Sequence, residues 1–204
     1  MSDVLVVCAH PDDEAIGCGG ALRAHVLAGE SVGAIFLTAG EAGGHGADDA
    51  GAVREAEARA AAAILGISEL AFWHEPDGAL RARRLLVERL AAVMTASGAG
   101  IVYSPHLGDD HPDHRAAARI VRRAAGLTGR PIELRHFEIW TPIGYIDHVV
   151  DISEVLEDKL RAIRAYESQC AVIRFDDAFR GLARYRGEMQ SWPGGPYAEV
   201  FTHR

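Results

Sequence analysis

Val4-Leu5-Val6-Val7-Cys8-Ala9-His10-Pro11-Asp12-Asp13-Glu14 is the stretch that decides the fold. Residues 4–9 form a continuous apolar run rather than an alternating one, as in a strand buried on both faces of a parallel sheet. His10-Pro11 ends it abruptly. A turn containing Gly17, Gly19 and Gly20 is expected to follow, then a helix over residues 21–28 closed by Gly29, then a second apolar run over residues 32–37. The same alternation continues outward. Helices are predicted over residues 52–65, 80–95, 111–125 and 154–168, and strands over 70–73, 101–104, 134–140 and 148–152. The tail after Gln169 reads as less regular, with a turn at residues 192–196 and a short strand over 197–201. Strands alternating with helices predict an α/β fold, one Rossmann-like three-layer domain over residues 1–204 with a mostly parallel sheet.

Composition narrows the class. The 204 residues carry 21 Lys+Arg against 29 Asp+Glu, a net charge of −8, which argues against a nucleic-acid partner. An apolar content of 49% and a charged content of 25% describe an ordinary globular chain. No stretch approaches the roughly 18 apolar residues of a membrane span. Three cysteines, Cys8, Cys18 and Cys170, have no CxxC pairing and favour neither a disulfide framework nor a cysteine zinc site. A cytoplasmic protein is expected, and a homo-oligomer is compatible with the sequence.

Two segments concentrate metal-type ligands, and each follows a predicted strand. One is His10-Pro11-Asp12-Asp13-Glu14; the other is Asp109-Asp110-His111-Pro112-Asp113-His114. In open α/β sheets ligands bind beyond the strand carboxyl ends at a topological switch point, where segments remote in sequence meet. A catalytic zinc takes three protein ligands and keeps one position open. His10, one aspartate of the Asp12-Asp13 pair and one histidine of the second segment supply that count, leaving the other aspartate free to act as a base. Taken singly, each acidic pair could simply cap a helix. The glycines at 17, 19 and 20 do not have dinucleotide-binding spacing, and the acidic segment before them would repel a pyrophosphate. They are expected to let the chain pass close beneath the site.

These residues resemble the LmbE-like, or PIG-L, family of metal-dependent N-deacetylases. The resemblance rests on residues 9–14, on Gly17-Cys18-Gly19-Gly20 and on His111-Pro112-Asp113-His114, with weaker matches through most of the chain. It implies that His10, Asp13 and His114 hold zinc, with iron(II) or another divalent metal as the alternative. It further implies that Asp12 is the general base, that His111 polarises the substrate carbonyl or donates a proton, and that Arg54 and Asp77 contact sugar hydroxyls. The substrate class so implied is an N-acetylated amino sugar, an N-acetylglucosamine conjugate or related small-molecule glycoconjugate.

Two other readings use the same residues. Two histidines and one carboxylate could form the facial triad of an iron(II) oxygenase, or the chain could bind sugar or metal without catalysis. His45 in the glycine-rich loop reads as a lid or a solvent loop residue. His25, His74, His106, His136, His148 and His203 read as structural, and Trp73, Trp140 and Trp192 as packing, with Trp192 a candidate for the cleft mouth.

Overall fold

A computed structural model describes residues 2–44, 49–192 and 194–203. His45 and Pro193 of the sequence reading lie outside the described residues. Five strands form one parallel sheet: β1 (Val4–Cys8), β2 (Val32–Phe36), β3 (Glu69–Phe72), β4 (Ile101–Pro105) and β5 (Glu133–Phe137), in the order β3-β2-β1-β4-β5. All five residues of β1 are buried, as the unbroken apolar run requires. Two further strands, β6 (His148–Asp151) and β7 (Ala198–Phe201), pair antiparallel in a small second sheet.

The helices are α1 (Asp13–Leu27), α2 (Ala50–Leu65), α3 (Arg84–Ser97), α4 (Pro112–Leu127), α5 (Leu156–Arg164), α6 (Glu167–Cys170) and α7 (Phe175–Gln190). Alternate residues of β1 and the adjoining Ala9 divide between two cores. Val4, Val6 and Cys8 join the cluster that holds Ala15, Leu22, Leu65, Leu160 and Phe179, from α1, α2, α5 and α7. Leu5, Val7 and Ala9 join Leu90, Met94, Ile120 and Val121, from α3 and α4. Helices therefore cover both faces of the sheet, giving the three-layer α/β architecture expected from the alternation.

Three elements depart from the sequence reading. The glycine segment is helical: α1 begins at Asp13 and runs through Gly17–Gly20, with non-helical backbone only at Cys18 (φ −146°, ψ 17°). Close packing explains the glycines, since a Cβ on Gly17 would fall 2.1 Å from Phe137 Cδ2 and one on Gly20 2.6 Å from Ile152 Cγ2. The expected helix over 154–168 is divided into a short 3₁₀ turn, α5 and α6. The tail, expected to be irregular, contains the 16-residue α7. Phe175, Phe179 and Ala183 repeat every four residues along α7 and are buried, but Gly181 and Gly187 interrupt the helix-forming composition and mask the pattern.

Candidate active site

The order of the sheet reverses between β1 and β4, so the segments that follow these two strands face one another. Asp12 ends the turn after β1 with φ +123°, a backbone conformation uncommon outside glycine, and stands at the N-terminus of α1. His111 occupies the equivalent place at α4, ahead of Pro112, and its Nδ1 accepts from Asp113 N at 3.2 Å. Both turns direct their side chains to one cleft of about 370 Å³.

Three ligand atoms converge at its base. His114 Nε2 lies 3.3 Å from His10 Nδ1 and 3.1 Å from Asp13 Oδ1, and His10 Nδ1 lies 3.8 Å from the same oxygen. Tetrahedral zinc with bonds near 2.1 Å separates its ligands by about 3.4 Å, so this trio fits a single ion. Each member is oriented from behind. Asp13 Oδ2 accepts from Ala9 N and His10 N at 2.8 and 2.9 Å, turning Oδ1 inward. Asp109 Oδ1 lies 3.0 Å from His114 Nδ1, and Asp77 Oδ1 lies 3.0 Å from His10 Nε2. Carboxylates behind ligating imidazoles fix tautomer and ring angle. Two other groupings also bring ligand atoms within 4.8 Å of one another, His10 with His111 and His114, and His10 with Asp77 and Asp113. Asp13 makes the better third ligand, because its second oxygen is anchored to backbone, whereas His111 Nδ1 and both Asp113 oxygens are committed to backbone N–H groups.

The electrostatics are those of a cation site. Burial alone would depress the histidines, but the carboxylates around them reverse it. His10 is held well above the ordinary imidazole value by Asp113, Asp13 and Asp77, and His114 is raised to about 9 by Asp13 and Asp109. Burial would raise Asp13, yet His114 and His10 hold it well below the carboxylate range. A site that draws protons onto two imidazoles equally favours a divalent cation. His111 behaves differently: burial and the nearby His10 and His114 lower its pKa below the ordinary imidazole value. With Nδ1 accepting from Asp113, its proton sits on Nε2.

Asp12 is apart from the trio. Its Oδ2 accepts from Arg54 Nη2 at 2.9 Å, and burial raises its pKa to about 6 against the opposing pull of Arg54. Arg54 also donates to Pro11 O and Gly40 O, at 2.5 and 3.0 Å. Arg54 and Asp77 both line the cleft. The Asp77 oxygens are nonetheless engaged by His10 and Ala42 N and the Arg54 Nη atoms by Asp12, Pro11 O and Gly40 O, which leaves Arg54 Nε without a hydrogen-bond partner among the described residues.

Two residues with evident tasks here escaped the sequence reading. Asp109 holds His114 and also accepts from Trp140 N and Thr141 N at 3.0 and 3.3 Å. Glu14, fully buried, accepts from Tyr166 OH at 2.5 Å and from Asp12 N at 3.3 Å, and burial raises its pKa to about 8. Both lay within the quoted motifs, but an acidic pair does not disclose which member turns inward. Trp140 lines the cleft rather than serving only as packing, whereas Trp192 is exposed and does not line it. The six discounted histidines have partners elsewhere or lie outside the cleft. No helix among the described residues is long and apolar enough to cross a membrane.

Known proteins share this framework. A diacetylchitobiose deacetylase of Thermococcus kodakarensis is 32% identical over 98% of this chain and 82% of its own. The crystal structure of the conserved protein TT1542 from Thermus thermophilus superposes with a TM-score of 0.88 at 33% identity, covering 100% of this chain and 94% of that one. The 4-carboxy-2-hydroxymuconate hydratase of Pseudomonas putida KT2440 has the same fold, with a TM-score of 0.86 at 26% identity over 99% of this chain and 95% of its own. The model of the PIG-L family, described as GlcNAc-PI de-N-acetylase, matches residues 5–125, and with both ligand-bearing turns inside that span the chain belongs to the PIG-L family.

Proposed function

We propose that the protein hydrolyses the amide of an N-acetylated amino sugar, releasing acetate and the free amine, with a divalent metal, zinc by ligand preference, held by His10, Asp13 and His114. The observation that carries this reading is the separation of two tasks in one cleft: three ligand atoms within 3.1–3.8 Å of one another, and beside them a buried carboxylate, Asp12, held by Arg54. When bound, such a metal lowers the pKa of coordinated water and polarises a carbonyl. Asp12 takes the proton of the attacking water, for which a carboxylate raised to about 6 is suited near neutral pH. The same proton then satisfies the departing amine. His111 donates from Nε2 toward the carbonyl oxygen as negative charge develops there, the placement that stabilises an acyl-transfer transition state. Arg54 and Asp77 position Asp12 and His10, and we assign them to sugar hydroxyls only in addition to that work.

Fold alone does not select this reaction, since a hydratase shares it. Charge favours the amide. The name of the hydratase substrate makes it an anionic carboxylate, and the one guanidinium lining this cleft among the described residues, Arg54, is already engaged by Asp12. A neutral sugar needs no such partner. An iron(II) oxygenase would need the ligand trio but would leave the Asp12–Arg54 pair without a task.

The test is amine and acetate release from N-acetylglucosamine glycosides by metal-loaded protein, with metal content determined in parallel. Asp12→Asn should keep its metal and lose about 10²–10⁴-fold in kcat. Full turnover by that variant, or oxygen consumption with a 2-oxo acid in place of amine release, would overturn the proposal.

A further inference from the structure

The outer half of the cleft differs in chemistry from its base. Trp140, Val172 and Ile173 line it while remaining 49%, 57% and 38% exposed, with Ile139 and Phe175 buried among them. These side chains come from two segments remote in sequence, the loop after β5 and the turn between α6 and α7. Two adjacent β-branched residues exposed on a turn run against the polar composition turns favour. An apolar patch continuous with a polar cleft marks a binding surface.

The patch is fixed relative to the reacting end. The Trp140 ring packs edge-on to Phe175, with centroids 6.0 Å apart at 73°, and Trp140 N is held by the Asp109 carboxylate that also holds His114. A substrate whose amide reaches the buried base of the cleft therefore leaves its far end against Trp140, Val172 and Ile173. Among the described residues no lysine or arginine lines that far end, and Arg174, between Ile173 and Phe175, is turned to Asp177 outside the lining. Apart from imidazoles, the one cationic side chain lining the cleft among the described residues is Arg54, engaged at the base by Asp12, Pro11 O and Gly40 O.

We propose that the group carried by the sugar, its aglycone, is an uncharged apolar moiety, aryl or alkyl, that packs on the Trp140–Val172–Ile173 wall. This rests on the amide-hydrolase reading of the same site. It makes these three residues specificity determinants, with little room for a phosphorylated or carboxylated aglycone.

The experiment compares metal-loaded protein on four glycosides of N-acetylglucosamine, with methyl, hexyl, 5-carboxypentyl and N-acetylglucosaminyl aglycones, and on methyl N-hexanoylglucosaminide. Calorimetric binding of methyl and hexyl glucosaminide, which need no turnover, runs beside it. The hexyl glycoside should exceed the methyl one by about tenfold or more in kcat/KM, mostly through KM, the scale expected when a few methylenes leave water. The carboxypentyl glycoside should lose most of that advantage. Trp140→Ala and Ile173→Ser should bring the hexyl-to-methyl ratio to within about twofold of one, while Leu85→Ser, exposed on α3, leaves the ratio as it is. Equal rates on hexyl and methyl glycosides, or preference for the disaccharide, the carboxylate or the hexanoyl amide, would overturn the subsite and leave the hydrolase reading intact. Absence of turnover on every compound, with hexyl glucosaminide still bound tenfold tighter in a Trp140-dependent way, would defeat the hydrolase reading and support the subsite.

Discussion

Asp109 shows how much a single carboxylate organises here. One oxygen faces His114 Nδ1 and accepts from His111 N at 2.9 Å, and the other receives Trp140 N and Thr141 N, so the imidazole we propose as a ligand, the start of α4 and the cleft wall share one anchor. Asp109→Asn keeps the volume but presents an amide N–H where a backbone or imidazole donor already points. Metal affinity should fall about 10–100-fold, the usual effect of losing a partner behind a ligating histidine. Competition with a chromophoric chelator would measure it. Asp110→Asn is the control: its neighbour is buried while Asp110 is exposed, and its affinity should stay within about twofold of the parent. Equal affinity in the two variants would remove Asp109 from the account of the site. At this scale the sequence was legible in part. His10, Asp12, Asp13, His111 and His114 all meet in one cleft, because motif spacing reports which residue types cluster. It does not report orientation, so Asp109 could not be told from Asp110, nor could the lowered pKa of His111, which depends on burial, on His114 one turn along α4 and on His10 across the switch point.

At the scale of elements, α1 carries the site on a helix that is not continuous. Around the break at Cys18, Gly20 N and Ala21 N donate to Glu199 of β7 at 2.9 and 2.7 Å, while Ile16 O accepts from Lys159 of α5 at 2.7 Å. Lys159 and Glu199 are themselves paired at 2.5 Å, both at most 5% exposed. Lys159 is the chain's single lysine, and a compact ammonium suits a niche where it must meet a carbonyl and a carboxylate together. Lys159→Met should cost about 3–5 kcal/mol in urea denaturation, because it leaves a buried carboxylate without its partner. Replacing both, as Lys159→Met with Glu199→Leu, should give no recovery, since Ile16 O, Gly20 N and Ala21 N would then be unsatisfied as well. Recovery of the double variant to within about 1 kcal/mol of the parent would show that the pair does not serve the helix break. This splice, like α7, was beyond the sequence for a common reason. Both depend on contacts between residues more than a hundred positions apart or on buried faces interrupted by glycine, whereas β1, β2 and β4 announce themselves in local apolar runs.

For the whole molecule, stability against pH sums groups that oppose one another, and His136 offers a way to separate them. It lies on β5, fully buried, with Nδ1 2.7 Å from Ser104 Oγ and Nε2 without a hydrogen-bond partner among the described residues. Burial lowers its pKa to about 4, with nearby Arg122 acting in the same direction, from an unfolded value near 6.5. Between those values the unfolded chain takes up a proton that the folded chain refuses, so this group's contribution is full above pH 6.5 and is lost as pH falls toward 4. Asp12 and Glu14, raised to about 6 and about 8, have the reverse sign: folded protein holds protons the unfolded chain has released, and their contribution declines as pH rises through those values. His114, raised to about 9, likewise loses its contribution between pH 6.5 and 9 in metal-free protein. The absolute curve therefore mixes opposing slopes, but the difference between parent and His136→Asn cancels every group except the one replaced. That difference should be flat above pH 7 and should move in favour of the variant by about 3 kcal/mol between pH 6.5 and 4, at about 1.4 kcal/mol per pKa unit. Urea denaturation of both proteins at half-unit pH steps, in chelator to keep the metal site empty, measures it. A difference curve without slope across that interval would mean that His136 takes up its proton in the folded state as readily as in the unfolded one, through solvent reaching Nε2 between β5 and the bridge from His136 to Thr202.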